Sequence, residues 1–347
     1  MQMLPIILDN NFNRIAMIDD FISLIWTTRY YKAGDFELCA DISRANELQV
    51  GYYVTRAGDD SHLGIIENVD FQYKEDMQET IIVKGRFLPS ILARRVIASQ
   101  TQVSGTIANA IQTLIDDNAI NPSIAARKIN GLTFNSSVTS AVTMDAQYTG
   151  ENLLNTIESI CETYSIGFDC TLNDNNGFDF SLYEGVDRSY NQSANPYVVF
   201  SDKYDNLLTS EYKEDYNGYT TDVLVGGEGE GAARTMVWSA KNSQSGLNRY
   251  EKFLNAQNAV TNENIITQET YEKQLEGLGL EQITTYTTAF SGEVDFSGVK
   301  LGVNLNVGDI VTIENATWRM FINSRLIEVI ESVGEDGSYK AVPTFGV

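Results

Sequence analysis

The single histidine of the chain, His62, follows Ser61 and Asp60, so it is the first candidate for chemistry. A serine, a histidine and an aspartate can form a nucleophilic triad when a fold brings them together. No Gly-x-Ser-x-Gly nucleophile elbow accompanies these residues, and residues 59–61 are typical of a turn between strands. We therefore predict that His62 is not catalytic.

Metal and calcium sites are also poorly supported by the residue types. Three scattered cysteines, Cys39, Cys161 and Cys170, do not form a zinc cluster with one histidine. Residues 173–177 are rich in oxygen donors, but Leu172 would occupy the first ligand position of a calcium loop, so a hairpin turn is favoured. We predict no catalytic residue, no cofactor and no metal.

A glycine-rich segment, residues 226–231, follows a predicted strand and superficially resembles a phosphate-binding loop. Glu228 and Glu230 would repel a phosphate, and no Lys-Ser or Lys-Thr pair follows. A connector or an intersubunit loop is the favoured interpretation.

Adjacent carboxylates such as Asp19 and Asp20 do not face each other on a strand or a helix, so we interpret them as solvated surface.

Composition limits the classes of partner. The 347 residues contain 24 Lys plus Arg and 47 Asp plus Glu, which gives a formal net charge of −23. We expect a chain this acidic to repel nucleic acid. It has no run of about eighteen apolar residues, and its start lacks an export signal, so we expect no membrane insertion and no secretion. The cysteines are then expected to be reduced thiols.

The elements that would position these residues begin with antiparallel strands. Residues 4–8 and 14–18 flank an Asp-Asn-Asn turn, which predicts a β-hairpin. Residues 65–73 and 80–87 alternate in polarity, which predicts a second hairpin with one buried and one wet face. The predicted buried face carries Val69, Phe71, Tyr73, Ile81, Val83 and Phe87.

Helical periodicity follows in the middle of the chain. Ser104 is the predicted N-cap of a helix that ends near Ile115, and a second helix begins at Thr149. A strand pair, strands from residue 206, a helix over 268–283 and final strands complete the order. The predicted fold class is α+β, mainly β, with an inserted α/β region and a short helical connector.

Several motifs occur in an order that resembles a known family. They are Trp26 to Tyr31, Gly34 to Leu38, Gly85 to Arg95, Asn306 to Thr312 and Arg325 to Val329. From about Trp26 to Phe345 the chain resembles the tail-tip hub family of long-tailed phages and prophages of Gram-positive bacteria. That family in turn resembles the baseplate hub of contractile tails.

This resemblance implies a structural subunit and not an enzyme. It implies two tube-type antiparallel β-barrel domains per chain, so that a homotrimer forms a pseudo-sixfold ring. The ring would join a tail tube or distal tail protein to a tip, spike or tail fibre protein. DNA or a tape-measure protein would pass through its lumen without specific binding. The chain would lie in the virion tail, at the tip or baseplate, after assembly in the host bacterial cytoplasm.

The resemblance also implies a division of the chain into domains. The predicted parts are residues 1–98 with 196–232 as the first barrel, 99–195 as an inserted α/β domain, 233–283 as a connector with a helix, and 284–347 as the second barrel. Arg94 and Arg95 are basic residues in an acidic chain. They are candidates for a subunit contact with a neighbour's carboxylates, or their stems lie along their own barrel.

Two other functions stay open at this point. A cell-wall hydrolase would need a lytic domain with a Cys-His or Glu pair, and the chain ends directly after the second predicted barrel. A host-receptor or carbohydrate-binding tail protein would suit the 18 Tyr and 3 Trp. Binding to purified cell walls would distinguish such a protein from a hub.

Overall fold

Strands dominate the computed structural model, which describes residues 3–73, 79–257, 267–284, 287–296 and 298–346, without the side chains of 60 and 287–289. The N-terminal β region contains β1 (Pro5–Leu8), β2 (Arg14–Met17), β3 (Ser23–Arg29), β4 (Asp35–Asp41), β5 (Tyr53–Arg56), β6 (Asp59–Ile65), β7 (Asn68–Gln72) and β8 (Thr80–Arg86). A 3-10 helix, Leu88–Arg94, leads out of it.

Three further regions follow along the chain. The inserted region contains β9 (Thr101–Thr106), α1 (Ile107–Ile115), β10 (Leu132–Ser136), β11 (Thr143–Tyr148), α2 (Leu153–Tyr164), β12 (Gly167–Leu172) and β13 (Phe178–Tyr183). After β14 (Val199–Ser201) and β15 (Glu211–Asp215), a small region is formed by β16 (Asp222–Gly226), β17 (Met236–Ala240), β18 (Glu251–Asn255) and α3 (Gln268–Leu280). The C-terminal β region adds β19 (Thr287–Ser291), β20 (Ile310–Asn315), β21 (Met320–Gly334) and β22 (Tyr339–Gly346) to β14 and β15.

One long sheet joins the two β-rich ends of the chain. Its strand order is β15-β19-β22-β21-β3-β4-β8-β7, and β20 and β14 extend it from β21. The junction is the antiparallel pair of β3 and β21, in which Arg29 lies opposite Glu328 and Ser23 lies opposite Gly334. The N-terminal and C-terminal β regions therefore share backbone hydrogen bonds.

The predicted fold class, α+β and mainly β, is confirmed. The two predicted barrels are not present as closed sheets among the described residues. The long sheet ends at β15 and β7, and the other N-terminal sheet is open, with the order β2-β1-β5-β6. Instead, the two N-terminal sheets enclose a core that includes Ile7, Trp26 and Val54. The barrel prediction fails at closure because the outer side of β3 pairs with β21 and not with a strand of its own region.

Strands within residues 196–232 also pair differently from the expectation that they complete the first barrel. β14 pairs in parallel with β20, and β15 pairs with β19. β16 is the central strand between β17 and β18. These pairs connect residues far apart in sequence, and local alternation of polarity carries no information about which distant strand is the partner.

Both predicted N-terminal hairpins are present, with two differences in detail. The first turn is fixed by Asp9, whose Oδ1 accepts the backbone N–H groups of Asn11 and Asn13 at 2.8 and 2.9 Å, and the positive φ falls on Phe12. In the second hairpin, Phe71 and Tyr73 were predicted to be buried but are 60% and 72% exposed. β7 is the last strand of the long sheet, so little packs over its outer half.

The helices match their predicted positions, but their caps differ. The N-cap of α1 is Thr106, whose hydroxyl accepts from Asn109 N, and not Ser104. Ser104 lies inside β9, opposite Asp145 of β11. α2 begins after Asn152 and not at Thr149. No helix within the described residues is long and apolar enough to span a membrane.

Candidate functional site

His62 lies on β6 between two carboxylates. Its Nδ1 is 2.9 Å from Asp59 Oδ2, and its Nε2 is 3.8 Å from Asp169 Oδ2 on β12. Both ring nitrogens therefore face acids, which is unlike a general base poised beside a hydroxyl. The predicted turn at residues 59–61 is wrong, because β6 begins at Asp59 and the turn is centred on Gly58, with φ of 82°.

Alternating charges continue from His62 to the C-terminal β region. Arg56 Nε donates to Asp59 Oδ2 at 3.0 Å, and Arg56 Nη1 is 2.7 Å from Glu331 Oε2. Arg56 and Glu331 are both buried. Asp169 belongs to β12, His62 to β6 and Glu331 to β21, so this set of ion pairs connects the inserted, N-terminal and C-terminal regions. We call these five residues the junction charges.

Three of the junction charges, His62, Asp59 and Asp169, have shifted pKa values. Burial alone would lower the pKa of His62, but the Asp169 charge and the Asp59 hydrogen bond outweigh it and raise that pKa above its ordinary value. Burial alone would raise the pKa of Asp59. Its hydrogen bonds to His62 and the charges of His62 and Arg56 outweigh burial and hold that pKa well below the usual range. Burial raises the pKa of Asp169, and the charge of His62 offsets only part of this rise. The imidazolium form of His62 is thus favoured.

A second pair of titratable groups connects α3 to the inserted region. The Tyr148 hydroxyl at the end of β11 donates to Glu281 Oε1, at the C-cap of α3. Burial raises the pKa of Glu281 to about 7, although the Tyr148 hydrogen bond acts in the opposite direction and Glu151 adds to the rise. Burial and the Glu281 charge raise the pKa of Tyr164, on α2, to about 12.

Arg94 and Arg95, the predicted contact residues, have different environments. Arg95 is half-buried, and its Nε donates to the backbone oxygen of Arg127 at 2.6 Å. Burial, and then the charges of Arg127 and Arg94, lower the pKa of Arg95. Arg94 is exposed, and in the described chain neither Arg94 nor Arg95 lies within ion-pair distance of a carboxylate. Arg95 supports its own region, whereas Arg94 is available at the surface.

The two loops that resemble ligand sites are packed against their own chain. Asn173 Oδ1 accepts the backbone N–H groups of Asn175 and Gly177, which confirms the hairpin turn between β12 and β13. The Arg234 guanidinium donates to Gly226 O at 2.8 Å and Gly227 O at 3.0 Å. A side chain at Gly226 would lie 2.7 Å from Arg234 Cζ, so this glycine allows the arginine to cross the strand.

One face of the small region is exposed and apolar. Leu224 on the central strand lies opposite Trp238 and Phe253 on the flanking strands, and these two aromatic residues are 47% and 52% exposed. Arg249 lies over the Trp238 ring and Arg234 over the Phe253 ring. Exposed aromatic surface of this kind is typical of protein contacts.

The sequence indicated His62 but none of its partners across the junction. Asp169 is 107 positions away in a different region, and sequence spacing does not report such proximity. The Tyr148–Glu281 pair was missed for the same reason, since its members are 133 positions apart.

The cysteines are free, and Cys161 and Cys170 are buried, which raises both thiol pKa values.

Solved structures of three tail proteins share this fold over nearly the whole chain. The tail protein from Neisseria meningitidis MC58 is 13% identical, with a TM-score of 0.61, and the match covers 100% of this chain and 97% of that one. The prophage MuSo2 43 kDa tail protein from Shewanella oneidensis is 12% identical, with a TM-score of 0.59 and coverage of 99% and 97%. The prophage tail protein gp18 from Listeria monocytogenes EGD-e is 10% identical, with a TM-score of 0.57 and coverage of 99% and 94%.

The chain thus has the fold of solved phage-type tail proteins, and the predicted resemblance to tail proteins is confirmed. It belongs to the Siphovirus ReqiPepy6 Gp37-like protein family, which it matches over residues 4–347. No curated protein sequence matches it.

Proposed function

We propose that the chain is a structural subunit of a phage tail or phage-derived particle, a hub at the tail tip that forms a trimeric ring and catalyses no reaction. The observation that carries this proposal is the agreement in fold, over nearly the whole chain, with three tail proteins. The shared sheet supports it further, because two fused β regions per subunit would give six in a trimer. Such a ring would match a sixfold tube on one side and a threefold tip on the other.

The domain division and the channel are parts of the same proposal. The N-terminal and C-terminal β regions would form the ring wall, and the inserted and small regions would lie beside it. A net charge of −23 per chain supports a wall that lets DNA or a tape-measure protein pass without binding. Partners would be a tail tube or distal tail protein and a tip, spike or fibre protein.

The purified chain, or the particle that contains it, is expected to show three copies around one axis. Burial of exposed aromatic surface between copies provides the free energy of association. Mass photometry over a range of concentrations, with symmetry analysis of particle images, measures the copy number. A chain that stays monomeric and shows no threefold density in the particle would contradict the proposal.

Arg94 is the proposed contact with a neighbour's carboxylate, and an Arg94→Glu change tests this. Reversing the charge would place like charges together, so assembly should require about tenfold more protein. Arg14→Glu is the control, since Arg14 is also exposed. Unchanged assembly of the Arg94 variant, in a protein that does form trimers, would remove Arg94 from the contact and leave the ring in place.

A further inference from the structure

The inserted region contacts its neighbours through two acid–base pairs on separate elements. At one contact, Asp169 on β12 faces His62 on β6, and β12 packs against β6 and the 3-10 helix Leu88–Arg94. At the other, Tyr148 on β11 binds Glu281 at the end of α3, and α3 packs along β11. Both contacts therefore place a group that can bind a proton between the inserted region and a neighbouring region.

We propose that docking of the inserted region onto the N-terminal and small regions is controlled by protons, with His62 and Glu281 as the two groups that bind them. Proton binding converts the His62 imidazole into a cation between the carboxylates of Asp59 and Asp169. Proton binding on the Glu281 side removes a partly buried negative charge and keeps the hydrogen bond with Tyr148. The inserted region is held more tightly in the protonated state.

The surroundings of His62 favour its cationic form from several directions. Asp59, on its own strand, and Asp169, on β12, supply negative charge, whereas Arg56 on β5 opposes it. Arg29, Lys32 and Tyr183 line the small cavity that His62 and Asp169 share. Arg29 is itself neutralised by Asp35 and Glu328, and Lys32 is 3.7 Å from Glu162.

The surroundings of Glu281 disfavour its anionic form. Tyr148 supplies one hydrogen bond, and Glu151 adds a like charge from the segment before α2. Tyr164 faces the same carboxylate from α2. Lys252 on β18 donates to the neighbouring Gln282 at 2.9 Å and not to Glu281. No lysine or arginine in the described chain lies within ion-pair distance of Glu281.

The direction of the pH effect follows from these shifts. The folded-state pKa of each group lies above its value in an unfolded chain, near 6.5 for histidine and 4.5 for glutamate. Each group therefore contributes stability that is complete below the unfolded-chain pKa and is lost as the pH rises through the folded-state pKa. For Glu281, with a folded-state pKa of about 7, the loss begins near pH 4.5 and is nearly complete by about pH 8, so that its last tenfold part falls between about pH 6 and pH 8.

Amide hydrogen exchange on the full-length protein tests the proposal. Protection of β11, after correction for intrinsic exchange, should fall about tenfold between pH 6 and pH 8, the change expected from a carboxyl pKa of about 7. Protection of β12 should fall in the same direction. Glu281→Gln, which mimics the protonated acid, should remove the fall in β11, and Glu272→Gln on the exposed side of α3 should leave it unchanged.

The single histidine gives a second, independent measurement. Its NMR resonances should titrate with a pKa above 6.5 in the wild-type protein, and Asp169→Asn should lower that pKa while the protein stays folded. A His62 pKa at or below 6.5, or an equal loss of β11 protection in wild type and Glu281→Gln, would overturn the proposal. Neither measurement depends on ring assembly.

Discussion

A Trp26→Ala variant is expected to lose about 3–5 kcal/mol of unfolding free energy, the usual cost of truncating a fully buried aromatic side chain. Trp26 has no exposed surface. Its ring packs 4.6 Å from the Phe87 ring and 6.0 Å from the Phe36 ring, centroid to centroid. Because Trp26 also lies opposite Glu331 in the β3–β21 pair, the cavity would loosen the strand that joins the two β regions.

Urea unfolding followed by circular dichroism measures this loss, and Trp318→Ala is the matched control. Trp318 is 45% exposed and contacts the Phe290 ring at 6.2 Å, so its truncation should cost less than about 1 kcal/mol. Ring assembly should fail in the Trp26 variant and persist in the control. Equal losses in the two variants would contradict the importance given to the N-terminal core.

Local elements could be predicted well from this sequence because their causes are local. Alternation of polarity and turn residues indicated the pairs β1–β2, β7–β8 and β12–β13, all of which are present. Apolar residues spaced three and four apart predicted α1 and α2. The N-cap of α1 was predicted wrongly, because Ser104 and Thr106 are both good N-cap residues and only the pairing of β9 with β11 decides between them.

Long-range pairing could not be derived in the same way. β3 and β21 are about 300 positions apart, and both are apolar enough to pair with several other strands. The expected closure of each β region on itself was the simpler hypothesis. The observed partner of β3 depends on the whole arrangement of the sheet, which includes the 15-residue length of β21. Strand identity was thus predictable, whereas strand order was not.

The candidate sites show the same division. The asparagine-rich loop was correctly predicted as a hairpin turn, because turn formation depends on residue types within a few positions. The junction charges were missed, because Arg56, Asp169 and Glu331 come from three separate strands. One available signal was the single histidine, His62, three positions after Asp59, since a neighbouring carboxylate shifts the pKa of a histidine.

An Asp309→Ala variant is expected to lose about 3–5 kcal/mol, the usual cost of removing one partner from a buried ion pair. Asp309 is 1% exposed, and its Oδ2 accepts from Arg188 Nε at 2.8 Å. Its Oδ1 accepts the Val186 N–H at 2.8 Å, and Oδ2 also accepts the Asn306 N–H at 3.1 Å. Alanine would leave a guanidinium and two backbone amides without their acceptor, where the inserted region leads into the C-terminal region.

One further variant separates charge from hydrogen bonding at this position, and a second variant, on α3, is the control for an exposed ion pair. Asp309→Asn keeps one acceptor oxygen and should lose about 1–3 kcal/mol, because the remaining hydrogen bonds are weaker and one donor stays unpaired. Glu269→Ala breaks the ion pair with Lys273 on the exposed side of α3 and should change stability far less than Asp309→Ala, because solvent screens this pair. The measurement is the urea midpoint of each variant at pH 6. A loss for Asp309→Ala no larger than that for Glu269→Ala would show that the fold around residues 306–309 does not depend on this carboxylate.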